Sequence, residues 1–117
     1  MNFENLQQWI FPALVVTYVG YRLLKAQQVK KVLPEMLAKG AVVVDVRSAA
    51  EFQQGARPGS LNIPLGELDS RCRELNKSQQ IILCCASGSR SAMAAGILRK
   101  NGFTKVFNAG SWTSTVL

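Results

Sequence analysis

The chain has 117 residues, with 14 Lys and Arg against 7 Asp and Glu, a net charge of +7, and no histidine at all. Such a length holds one small domain, and the missing imidazole excludes any mechanism built on a histidine base or ligand. The basic excess does not point to nucleic acid, because the cations are scattered among acids and no basic run is interleaved with aromatics. The three cysteines are an odd number without disulfide-framework spacing, which fits a reducing compartment where thiols stay free for chemistry.

Residues 9–21, WIFPALVVTYVGY, form an apolar run with no polar face, followed by Arg22, Lys25, Lys30 and Lys31. Counted over residues 6–24, a helix here extends about 27 Å at 1.5 Å per residue, near the roughly 30 Å of a hydrocarbon core. Trp9 and Tyr21 fall where they would meet opposite interfaces, and Arg22 where it would snorkel. These features predict a membrane-spanning helix within residues 1–25, a single-pass anchor with the membrane as partner. The positive flank would keep the remainder of the chain on the cytoplasmic side. An interfacial or oligomer-forming helix is the next reading. A cleaved signal peptide fits less well, because Glu4 but no Lys or Arg precedes the run and no small-x-small site follows it.

Residues 26–30 read as a linker and residues 31–117 as the folded domain. Val29, Val32, Leu33, Met36 and Leu37 recur at helical spacing, with Pro34 suited to a first turn and Gly40 to a stop. Residues 41–46, AVVVDV, are the continuous β-branched run of a strand buried on both faces of a parallel sheet. Ser48-Ala49-Ala50-Glu51 has the form of a capping box and opens a brief helix that Gly55 ends. Residues 60–63 read as a second strand. Leu65, Leu68, Cys72 and Leu75 then share one helical face. Residues 80–84 make a third strand, 91–101 a helix stopped by Gly102, and 105–108 a last strand. This alternation predicts an α/β fold, a small parallel sheet flanked by helices on both faces and preceded by one N-terminal hydrophobic helix. Functional groups then gather at the carboxyl ends of the strands.

Cys85 stands at such an end and opens the run Cys85-Ala86-Ser87-Gly88-Ser89-Arg90-Ser91. Small side chains let the loop fold tightly with its amides turned inward, and the following helix start adds partial positive charge. An anion at the centre is favoured, so the thiol is expected to ionise readily, as a nucleophilic or sulfur-carrying cysteine must.

The order of short pieces carries a wider likeness. Asp45-Val46-Arg47, Glu51-Phe52, Gly55-Ala56-Arg57-Pro58-Gly59, Asn62-Ile63-Pro64, Cys85 through Arg90, and Gly102-Phe103 follow one another over residues 30–112. In this respect the chain resembles the single-domain rhodanese-like sulfurtransferases, although Ala56 stands where that family usually has histidine. The resemblance implies an enzyme that moves a sulfane sulfur from thiosulfate, a persulfide or a polysulfide to an acceptor. The acceptor is a thiol, cyanide or a partner protein's cysteine, and the sulfur passes through a Cys85 persulfide. The scheme calls for no metal and no organic cofactor. Ala86, Ser87, Gly88, Ser89 and Arg90 would form the substrate-binding loop, and Asp45, Arg47 and Glu51 would support it.

Two thiols compete for the nucleophile's place. Measured from Cys85, Arg90 follows after the rhodanese spacing; measured from Cys84, it follows after that of cysteine-based phosphatases. Cys85 is favoured because Gly88, Arg90 and Ser91 then fall in register, and because the phosphatase reading lacks an evident general acid. Cys72 reads as a core residue. Arg90 either pairs with a carboxylate, Glu51 or Asp45, to hold the loop, or contacts an anionic donor; pairing is favoured. Asp45 and Arg47 read as anchors of neighbouring loops. A loop with little positive charge beyond Arg90 should bind dianionic thiosulfate poorly and favour persulfides or polysulfides. The rival functions are a non-catalytic membrane-tethered module and a phosphatase or arsenate-reductase-like enzyme.

Overall fold

A computed structural model describes residues 3–116. The β-branched run after Gly40 becomes β1 (Val42–Asp45), and three further strands join it: β2 (Leu61–Asn62), β3 (Ile81–Cys85) and β4 (Val106–Ser111). All pair in parallel in the order β2-β1-β3-β4. From β1 the chain first steps outward to β2, then crosses back to β3 on the other side. The carboxyl ends of β1 and β3 therefore flank the point where strand order reverses, the usual place for a site in an open parallel sheet.

Alternation along the central strands sends their side chains to two separate cores. On one face, Val44, Val46, Leu83 and Cys85 pack with α3 (Leu65–Arg71) and α4 (Ser89–Lys100), through Leu68, Ala94, Ala95 and Leu98, and with Phe103 just after α4. The Cys72 and Leu75 side chains, on and after a 3-10 turn at Cys72–Glu74, close this core, so Cys72 is an ordinary buried hydrophobe. On the other face, Val43, Ile82, Cys84 and Ala109 meet α1 (Phe3–Ala38) through Val29 and Leu33. Burying each of those two aliphatic side chains contributes roughly 1.5–3 kcal/mol. A short helix, α2 (Ala49–Gln54), sits at the exit of β1, with both bonds of the Ser48–Glu51 capping box formed.

The N-terminal segment corrects the sequence reading. No helix among the described residues is long and apolar enough to cross a membrane. The expected anchor, the membrane as partner, and the single-pass placement facing the cytoplasm are overturned with it. The reason lies in the run itself: Gln7 and Gln8 precede it, Arg22 ends it, and Pro12, Thr17 and Gly20 dilute it. The truly apolar stretch, residues 9–21, reaches only about 20 Å, short of a hydrocarbon core. Nor is the element an independent hydrophobic helix. It runs unbroken through residues 26–30, expected as a linker, and on to Ala38, with Val29 completely buried against the sheet. Pro34 lies inside the helix rather than in a first turn, and both it and Lys30, whose carbonyl it cannot bond, are exposed residues.

Because α1 leads through a tight turn at Lys39–Gly40 into the start of β1, it runs antiparallel to the strands. Its last turns cover the sheet. Residues 18–26 stand beside the strands' carboxyl ends, and residues 3–17 continue past them with their large apolar side chains exposed.

Candidate active site

β3 runs one residue further than the sequence predicts, so Cys85 is its last residue and Cys84 lies within it. Alternation then separates the two thiols. Cys84 enters the core beneath α1, while Cys85 turns toward the N-terminus of α4. Their environments diverge in the same direction. Burial, followed by the charge of Asp45, pushes the Cys84 thiol up to about 12.

For Cys85, burial also opposes ionisation, but hydrogen bonds outweigh it and its pKa falls below the ordinary value. The Ser91 hydroxyl and the amides of Ser91, Gly88 and Ser87 provide them. The Gly88 N–H donates to Cys85 Sγ at 2.8 Å. The Ser91 hydroxyl lies 3.5 Å from Sγ but has one proton, and its shortest contact, 2.6 Å, is to Asn108 Oδ1. The backbone amides are therefore the steadier donors, as expected for a loop entering a helix N-terminus. Cys85 is shielded from solvent.

Gly88 makes this geometry available. It caps α4 with φ of 106°, in the left-handed region, and a Cβ there would come within 3.2 Å of Gly110 Cα. Any side chain both strains the backbone and pushes the loop from β4. Gly88→Ala is expected to cost about 1–3 kcal/mol of stability and to slow alkylation of Cys85 at neutral pH several-fold, because the displaced amide no longer favours the thiolate. Alkylation rates across pH check it, with the apparent pKa moving upward.

Opposite the loop, β4 carries a bulge. Leu83 faces Asn108 and Cys84 faces Gly110, leaving Ala109 as the extra residue. Asn108 lies in register with Leu83 just before the irregularity, on the face of the sheet that carries α4 and the cysteine loop. Its Oδ1 accepts from Ser91 Oγ and from the Gly110 N–H at 2.9 Å, which fixes the amide's orientation. Asn108 and Ser91 thus join the site, though the sequence reading assigned neither a role. Ser91 was signalled by its place in the Cys85 register and at a helix start, and Asn108 only as a polar residue near a strand end.

Of the two carboxylates named as partners for Arg90, Glu51 makes the contact. The Arg90 fork donates to Glu51 at 2.7 and 3.0 Å. The same carboxylate accepts from the Ser48 N–H and hydroxyl, so one side chain caps α2 and clamps the cysteine loop. Arg90 first, then the Ser48 amide, hold the Glu51 carboxyl down at about 2. A group with a depressed folded pKa adds stability above its unfolded pKa and loses it as pH falls through the folded one. The stability advantage of wild type over Glu51→Gln is therefore expected to be full above about pH 5 and to shrink as the pH drops from about 4.5 toward 2. Urea melts of both proteins through that window test it.

Asp45 and Arg47 lie behind this clamp. Arg47 Nη2 donates to Asp45 Oδ2 at 2.7 Å and to the Gly55 carbonyl at 2.7 Å, and its guanidinium stacks on Trp112 at 4.8 Å. Asp45 is completely buried and Arg47 is 5% exposed. The pair ties the end of β1 to the far end of α2, and α2 presents Glu51 to Arg90. Ala86, Ser87 and Ser89 are exposed around the loop. In the turn that precedes β2, Arg57 reaches the Thr115 carbonyl, binding this edge to the C-terminal 3-10 turn.

A buried strand-end thiol under a cup of amides, clamped by an arginine and carboxylate pair, defines a cysteine-nucleophile domain on a parallel sheet. The rhodanese-like domain profile matches residues 29–114. A rhodanese with anions from Escherichia coli superposes with a TM-score of 0.61 and 32% identity, covering 64% of this chain and 91% of that one. The human single-domain sulfurtransferase TSTD1 gives a TM-score of 0.62 at 31% identity, covering 70% and 87%. The Bacillus subtilis protein YrkF, whose name describes a candidate sulfur carrier, is 46% identical over 66 residues, 56% of this chain. Those residues span 36% of YrkF's own length. The chain belongs to the rhodanese-like family, and its domain is a sulfurtransferase of the rhodanese type, which passes a sulfane sulfur by way of a cysteine.

Proposed function

We propose that Cys85 is the sulfur-carrying nucleophile of this domain, and that persulfides or polysulfides serve it better than thiosulfate. The observation that carries the assignment is the Gly88 N–H held 2.8 Å from Cys85 Sγ. In the first half-reaction the Cys85 thiolate attacks the outer sulfur of a donor. A bond forms between Cys85 Sγ and that sulfur, the donor's sulfur–sulfur bond breaks, and its electron pair leaves with the remaining thiolate. From thiosulfate, the leaving group would be sulfite. The loop amides of Ser87, Gly88 and Ser89 then stabilise charge on the terminal sulfur. In the second half-reaction an acceptor thiolate or cyanide takes that sulfur and returns the bonding pair to Sγ, which gives ping-pong kinetics.

Donor preference follows from Arg90. Its guanidinium is engaged by both oxygens of Glu51, so its charge is balanced before any donor arrives. A dianion entering the loop would meet amides but no free cation from Arg90. The phosphatase alternative would need a thiolate at Cys84, the one cysteine whose pKa is driven far upward. A panel of donors at equal concentration tests the proposal. Persulfide and polysulfide should give the faster loading of Cys85, read as one added sulfur atom by intact mass and removed by cyanide. Strong thiosulfate-selective turnover would overturn the preference, and sulfur mapped to another cysteine would overturn the assignment.

A further inference from the structure

A groove of about 600 Å³ lies between the cysteine loop and the segment of α1 that passes it. One wall is Ser87, Gly88 and Ser89; the other is Tyr18, Tyr21, Arg22 and Lys25 of α1. The α1 wall precedes residues 29–114, the stretch that defines the family, so the family's shared architecture does not account for it. We infer that Arg22 and Lys25 form a selectivity wall for a sulfur substrate whose negative charge sits on a body remote from its reacting sulfur, such as a carboxylate-bearing thiol persulfide.

The groove's size and charge carry this inference. Its volume is of the kind that encloses a ligand of drug size, far more than a thiosulfate ion fills. No acidic residue lines it, and neither Arg22 nor Lys25 makes an ion pair among the described residues. The Arg22 guanidinium lies 5.9 Å from the centre of the Tyr18 ring, which steadies it along the wall. Lys25 is half-buried in the angle between helix and domain. With Arg90 balanced by Glu51, these two cations supply positive charge beside the loop. They attract a carboxylate on the substrate's body while the sulfur enters among the amides. The two side chains touch no reacting atom and act as specificity residues.

The test rests on the Cys85 reading and is arranged to fail separately from it. Wild type and Arg22→Gln/Lys25→Gln are loaded with glutathione persulfide, which is anionic, and with cysteamine persulfide, which is cationic. In parallel, Cys85 is alkylated by iodoacetate and by neutral iodoacetamide. The double variant should lose about tenfold in loading rate with glutathione persulfide, a change of about 1.4 kcal/mol, and lose little with cysteamine persulfide. The iodoacetate rate should fall relative to iodoacetamide, and both effects should fade in high salt. An unchanged iodoacetamide rate shows that the loop is intact. Equal losses with both persulfides, or no loss with either, would overturn the inference. If wild-type Cys85 takes sulfur from neither donor, the sulfur-transfer reading falls, while the alkylation ratio still reads the wall.

Discussion

Cys85→Ser is expected to abolish sulfur loading and to lower turnover by at least about three orders of magnitude, whereas Cys84→Ala leaves turnover close to wild type. Adjacent residues of the same type make this a demanding comparison. Both thiols are fully buried, so exposure does not distinguish them. What separates them is strand alternation. Cys85 receives the Gly88 amide and faces a helix N-terminus; Cys84 lies in an apolar core near the Asp45 carboxylate. The first is shifted toward ionisation by its hydrogen bonds, while the second is pushed up to about 12 by burial. Iodoacetamide labelling followed by peptide mapping should therefore modify Cys85 first, with a midpoint shifted below that of an ordinary cysteine thiol. Cys84→Ala removes one small buried atom group and should cost only about 1 kcal/mol of stability. Sulfur loading that survives Cys85→Ser and vanishes in Cys84→Ala would reverse the assignment.

Arg47→Ala is expected to be the most destabilising single change at the site, by about 3–5 kcal/mol, because it strands the buried Asp45 carboxylate without its partner. Asp45 is completely shielded from water, and all the side-chain donors reaching its carboxylate come from Arg47. The melting temperature should fall by on the order of 15 °C or more for a domain of this size. Arg47 also holds the Gly55 carbonyl and stacks on Trp112, so α2 loosens and Trp112 loses its cover. Fluorescence of Trp112 would shift to the red before global unfolding, and sulfur loading would drop because Glu51 no longer meets Arg90 squarely. Combining Arg47→Ala with Asp45→Ala should restore part of the loss, since the uncompensated charge goes with it. A fully additive double variant would show that the pair is not the source of the cost.

The parts of this site that sequence made legible are local ones. Ser48 and Glu51 lie three residues apart and signal a helix start; Gly88 before Arg90 and Ser91 signals a tight loop into a helix. The run of valines before Asp45 announces a buried strand. Features that depend on distant partners were hidden. The meeting of Asn108 with Ser91 exists because β4 pairs with β3 in a register that sets Asn108 beside Leu83, and nothing within residues 105–111 declares that register. The length of β3 likewise depends on Cys85 pairing with Ser111.

The reading of α1 failed differently. Counting residues 6–24 as one apolar span absorbed Gln7, Gln8 and Arg22, and lent the run a reach it lacks. Gln27 and Gln28 then looked like a linker, because the helix there is held by burial of Val29 and Leu33 against a sheet formed much later in the chain.

If Cys85 carries the sulfur as proposed, the outward divergence of neighbouring sulfurs on β3 protects the cargo. A loaded Cys85 carries a sulfur–sulfur bond that any nearby thiolate would cleave, closing a vicinal bridge and wasting the sulfur as hydrosulfide. With Cys84 turned to the opposite side of the sheet and kept protonated, that internal discharge has no route. The stored atom waits for an external recipient.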